Sequence, residues 1–153
     1  MSITAQMSKQ LRDVYFGGNW TSVNIKTTLT GVTWQQATTK IESYNSILTL
    51  IYHINYYIYE VTKVLEGGPL EAKDKYSFEH PTIENQADWE ALLEKGYAAA
   101  TAFADLVENL PDSILLEDFT DSKYGSYYRN LAGIVEHAHY HLGQIVFLKK
   151  MLA

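Results

Sequence analysis

Residues 130–152, NLAGIVEHAHYHLGQIVFLKKML, contain no proline and repeat apolar side chains at Ile134, Ala138, Ile145, Leu148 and Leu152. Steps of three, four and seven are the period of a helix with one buried face, not of a strand. At about 100° per residue, His141 falls on the middle of that apolar stripe and His137 lies about 40° away, with Gln144 following on the same side. Two imidazoles at i and i+4 on an inward face are what a helix offers to a single metal ion. The alternative is a pair of core histidines, which must find hydrogen-bond partners for four ring nitrogens. A bound cation would satisfy one nitrogen on each ring. His139 lies about 160° from His141 and is expected to face outward as a surface residue.

The remainder of the chain also reads as helix. Residues 3–16 form a first helical segment and residues 20–29 can resume it after Gly17, Gly18 and Asn19. Residues 33–44 form a connection with a short helical turn. Ser46 can cap a helix over residues 46–65, whose stripe is Ile47, Ile51, Ile54, Ile58, Val61 and Leu65; Gly67, Gly68 and Pro69 then stop it. That heptad-like spacing suits a helical bundle. His53 falls on the flank of this stripe, and spacing alone makes it a partly exposed histidine rather than a ligand. Residues 70–87 are a long polar crossover containing His80, read as a loop residue, and loops of this length often serve a site. Asp88 can cap a helix over residues 89–110 that Pro111 ends. Residues 115–125 form a second, exposed connection before the last helix, which starts within residues 126–129. The expected architecture is all-α, a single domain over residues 1–153. It is a four-helix bundle with a long crossover between its second and third long helices.

Composition removes several functions. With no cysteine, the chain has no disulfide, no thiolate nucleophile and no sulfur ligand, so a metal site must use His, Asp or Glu. A net charge of −6, with no run of Lys or Arg, argues against a non-specific nucleic-acid binder. The most apolar stretch is interrupted by His53, Asn55 and Glu60, so no membrane span is expected. The N-terminal residues lack the apolar core of a signal peptide, and a cytoplasmic protein is expected.

The octapeptide HAHYHLGQ over residues 137–144 and the segment LIYH ending at His53 together resemble the DinB-like superfamily, small metalloenzymes built on a four-helix bundle. The last-helix pattern of that family is a histidine, three residues, a second histidine and then Gly-Gln. Its remaining histidine comes from the second helix. Helix order and crossover agree, so the resemblance covers essentially the whole chain. It departs at Leu142, where members often carry Arg. The resemblance implies a three-histidine site, His53, His137 and His141, for a divalent cation, zinc or nickel, open to water. Three neutral protein ligands with open positions are the arrangement of a catalytic site.

Relatives of this kind include thiol-dependent transferases, a thiol-dependent isomerase and metal-dependent hydrolases. The resemblance therefore implies attack on a small electrophilic substrate by a metal-activated thiol or water. A thiol must be imported as a low-molecular-weight cosubstrate. A non-catalytic metal- or small-ligand-binding protein of the same fold is the alternative, and a structural bundle with core histidines is a third. Glu60, two turns beyond His53, is a possible orienting or proton-accepting group. A homodimer is compatible with the fold, though no residue marks an interface.

Overall fold

In the computed structural model, which describes residues 1–153, every regular element is helical. Six α-helices are present: α1 (Ile3–Phe16), α2 (Ile25–Leu29), α3 (Trp34–Thr38), α4 (Ile47–Leu65), α5 (Gln86–Glu108) and α6 (Tyr127–Met151). Three short 3-10 turns join them, and the one β-type pairing is an isolated bridge between Asp118 and Ser126. The expected all-α class is observed. No helix is long and apolar enough to cross a membrane.

Each α-helix begins at a side chain able to accept from its free first-turn N–H groups. Ser2, Asn24, Thr33, Ser46, Asn85 and Ser126 do this in turn. Two boundaries differ from expectation for the same reason. The third long helix starts at Asn85 rather than Asp88, because the Asn85 carboxamide oxygen accepts from the Asp88 N–H while the Asp88 carboxylate accepts from the Glu84 N–H. Residues 20–23 form a turn instead of helix. Asn19 donates to the carbonyls of Asp13 and Val23 and accepts from Thr21, which holds the chain out of helix until Asn24 caps α2.

The long helices pack α1 on α5 and α6, and α4 on α5 and α6. Polar bonds fix the α1–α5 register: buried Ser8 donates to the Ala104 carbonyl, and Arg12 reaches Asp105 and Glu108. Between α4 and α5, buried Asn55 accepts from the Tyr15 hydroxyl and lies against Gly96. A Cβ at Gly96 would stand 2.3 Å from the Asn55 amide nitrogen, so glycine is what lets these helices approach. The 115–125 connection is mostly exposed, as expected, with Leu115 and Phe119 anchoring it in the core. Between α4 and α5, the 3-10 turn Asp74–Phe78 folds back against α4.

Candidate metal centre

The centre is built from α4, α6 and that 3-10 turn. On α6 the buried positions are Leu131, Ile134, Ala138, Leu142, Ile145 and Leu148. This stripe is centred on Ala138, Leu142 and Ile145, so His141 is turned about 60° to its side and His137 about 100°. The expectation that His141 occupies the centre is corrected by Leu142, itself a core residue only 2 % exposed. The turn aims both histidines along the edge of α6 toward α4. There His53 is only 6 % exposed, against the partly exposed flank position that spacing indicated. Its burial comes from the 74–78 turn, which lays Phe78 over the imidazole with ring centroids 4.5 Å apart and planes 18° from parallel.

The three histidines converge, each offering one ring nitrogen, with these nitrogens all within 4.8 Å of one another. Nε2 of His53 and Nε2 of His137 are 2.9 Å apart. The other nitrogens of two rings are already engaged. Ser77 donates its only hydroxyl proton to the Asp74 carbonyl, so its oxygen must accept from Nδ1–H of His53, at 2.6 Å. Gln144 accepts from Nδ1–H of His141 through Oε1, also at 2.6 Å. Both tautomers therefore present a bare Nε2 lone pair. Second-shell acceptors on the far nitrogen are what orient histidine ligands in metal sites.

Burial and neighbouring imidazoles keep His53 and His137 neutral. Burial first, then the neighbouring His141 and His53, pushes His137 down to about 4. His53 is lowered by burial and then by His141. Imidazoles that resist protonation at neutral pH are ready to act as ligands. Tyr57, one turn after His53, stands edge-on to His137 with centroids 5.0 Å apart and donates to Asp74 at 2.6 Å. Burial, and then the Asp74 carboxylate, hold its phenol well above the usual range, so it stays protonated.

A cavity of about 700 Å³ opens beside the histidines, with Tyr57, Val61, Leu70, Asp74 and Ile134 among its walls. No carboxylate belongs to the three-histidine group.

The other expected positions fall outside this cluster. Glu60 is buried and paired with Lys63 at 2.6 Å, and it does not line the cavity. His80 lies in the crossover, bonded to Thr49 and to the Pro81 carbonyl. His139 is on the far side of α6, but it is partly buried in a cleft with Asp13 and Trp20 rather than free on the surface. His139→Ala should therefore leave the metal content per chain unchanged. Loss of metal from a folded variant would contradict this orientation of α6.

Protein-family models, curated proteins and solved structures were each compared with the chain. None of them matches.

Proposed function

We propose that His53, His137 and His141 hold one divalent cation, zinc or nickel, and that the chain is a metal-dependent enzyme of the DinB-like type. In this reading α1, α4, α5 and α6 form a four-helix bundle with a long crossover between α4 and α5, working in the cytoplasm. The reaction is transfer to, or hydrolysis of, a small electrophilic substrate.

The observation that carries the proposal is the convergence of three imidazoles of which two have Nδ1 tied off and Nε2 bare. The fit is chemically sound. Nitrogens that each sit about 2.0–2.1 Å from a shared ion lie roughly 3.0–3.4 Å apart. The 2.9 Å contact between His53 and His137 is near that value. With the His53 proton on Nδ1, His137 must donate Nε2–H across the contact, and a cation would take the place of that proton. His141 offers its ring nitrogen within 4.8 Å of the other two.

When bound, such an ion supplies Lewis acidity, making a water or an imported thiol acidic enough to act as a nucleophile near neutral pH. The chain's own residues then do the rest. Val61, Leu70 and Ile134 line the space beside the site with apolar surface. Tyr57 packs its ring edge-on against His137, and its hydroxyl, which donates its one proton to Asp74, can only accept a hydrogen bond from a bound substrate. Three protein ligands with no carboxylate among them favour a catalytic site over a filled structural one. The second reading, a non-catalytic metal- or small-ligand-binding protein, draws on the same Nε2 contact, which satisfies the two rings without an ion.

The test is metal content after purification without chelator, followed by the visible spectrum of the cobalt-substituted protein with and without a small thiol. One ion per chain and a thiol-dependent spectral change are expected. A bound ion whose spectrum ignores thiols and other small ligands would favour the non-catalytic reading, and absence of any ion would end the metal proposal.

Ser77 is the cheapest residue to remove from the supporting shell. Ser77→Ala deletes the acceptor that fixes the His53 tautomer, and metal affinity should fall by about 10–100-fold. Competition against a chromogenic chelator measures this, and an unchanged affinity would show that Ser77 does not orient the ligand.

A further inference from the structure

The chain has two arginines, and they are used differently. Arg12 is committed to carboxylates, with Asp105 at 2.6 Å and Glu108 at 3.0 Å. Arg129 belongs to none of the four ion pairs of the protein, Lys9–Asp13, Arg12–Asp105, Arg12–Glu108 and Lys63–Glu60. It is also the one Lys or Arg that lines the histidine cavity. Its guanidinium makes a single hydrogen bond, Nη1 donating to the Tyr124 carbonyl at 3.2 Å. Four of the five N–H donors of the group are left for something else.

The arginine is seated rather than loose. The side chain runs over Gly125, at φ +77, where a Cβ would come within 2.8 Å of the Arg129 Cδ. Its backbone N–H donates to the Ser126 cap, and Asn130 donates to the same Tyr124 carbonyl at 3.0 Å. The turn before α6 thus holds the stem of this exposed side chain from below, at the wall of the cavity. A fork held in this way matches a carboxylate in two parallel hydrogen bonds. As the one Lys or Arg lining the cavity, it suits one carboxylate better than the greater charge of a phosphate.

The wall between Arg129 and the histidines has the character of a channel. Eight residues separate Arg129 from His137, roughly 12 Å along the helix axis. Gly133 lies between them with nothing within 4 Å of where its Cβ would be, and Ile134 adds apolar surface. Two carboxylates also face the cavity. Asp74 is occupied by Tyr57, whereas Glu136, beside His137, has no ion-pair partner and disfavours a second anion at the histidine end. Among its side chains, the wall carries its one Lys or Arg at the α6 N-terminal end.

We propose that Arg129 is the specificity-determining residue of this cavity, and that the ligand is an elongated small carboxylate. Its carboxylate pairs with Arg129, its apolar body lies along Gly133 and Ile134, and its reacting group reaches His53, His137 and His141. The placement of that reacting group rests on the metal-dependent reading above, and the carboxylate end does not.

Two thiols of equal length test the assignment on zinc-loaded protein, 6-mercaptohexanoate and 6-mercaptohexan-1-ol, with binding followed by calorimetry. The carboxylate thiol is expected to bind about tenfold more tightly, the worth of one charge-assisted pair. Arg129→Gln should abolish that advantage without altering zinc stoichiometry. Equal affinity of the two thiols for the wild type, or a preference that survives in Arg129→Gln, overturns the assignment. If the protein retains no zinc, the metal reading fails by itself. The arginine is then decided on metal-free protein with 4-phenylbutyrate and 4-phenylbutan-1-ol. A preference for the acid that Arg129→Gln removes sustains the proposal, and no preference overturns it.

Discussion

His137→Ala is expected to abolish stoichiometric zinc binding while leaving the helices standing. The two remaining imidazoles, His53 and His141, would present a two-ligand site with no carboxylate in their group to complete it. Loss of a supporting residue alone weakens metal sites by about 10–100-fold, and removal of a ligand should exceed the upper end of that range. The fold should survive because His137 is outside the buried stripe of α6, which is carried by Leu131, Ile134, Ala138, Leu142, Ile145 and Leu148. Its loss also relieves the mutual repulsion that makes protonating the cluster unfavourable. Zinc per chain and far-UV circular dichroism, measured side by side on wild type and variant, give the answer. Wild-type zinc content in a helical His137→Ala protein would remove His137 from the site and with it the three-histidine proposal.

The elements legible in the sequence were those whose cause is local. α4 and α6 begin at Ser46 and Ser126 because a hydroxyl can accept the free first-turn N–H groups, and both serines could be read directly. The pair His137 and His141 was legible from i, i+4 spacing alone. Other features depend on residues distant in the chain. Spacing puts His53 on a flank because periodicity describes α4 as having one buried face. In the structure α4 is covered by α5, α6 and the 74–78 turn, and 13 of its 19 residues are buried.

The α6 stripe is centred away from His141 because Leu142, which the repeat of Ile134, Ala138, Ile145, Leu148 and Leu152 leaves out, is a core residue. Ser77 and Asp74 carry no periodicity that would mark them, since they sit in a 3-10 turn whose only sequence signal was the length of the crossover. Tyr57 had a usable signal, being one turn after His53 on the same side of α4. Arg129 had another, as the one arginine on the histidine-bearing helix. Glu60 illustrates the reverse error. Its spacing of seven from His53 matches in angle, but about 10 Å of helix rise separates the two, and Lys63 takes its carboxylate.

Zinc should raise the melting temperature strongly at neutral pH and progressively less as the solution is acidified. A ligand that binds only the folded state contributes about 4 kcal/mol when present at a thousand times its dissociation constant. For a chain of this size that corresponds to roughly 8–16 °C. The pH dependence follows from the depressed histidines. His137 is held down to about 4 in the folded protein and His53 is also lowered, against about 6.5 in the unfolded chain. As pH falls below about 6.5, the unfolded chain takes up protons that the folded protein still refuses, so the unfolded state is favoured. The contribution of these neutral histidines is complete above the unfolded value and is lost as pH falls through the folded one, near 4 for His137. Carboxylates titrate toward the lower end of the same window, so the diagnostic quantity is the difference between wild type and His137→Ala. Metal-free wild type should lose more stability between pH 7 and pH 4 than the variant, which lacks the most depressed imidazole. The zinc increment should be large in the wild type at pH 7.5, absent in the variant, and reduced in the wild type near pH 4.5, where protons compete for the ligand nitrogens. Thermal melts at these pH values, with and without zinc, measure all three. An equal zinc increment in both proteins would show that the ion stabilises the chain from somewhere other than this cluster.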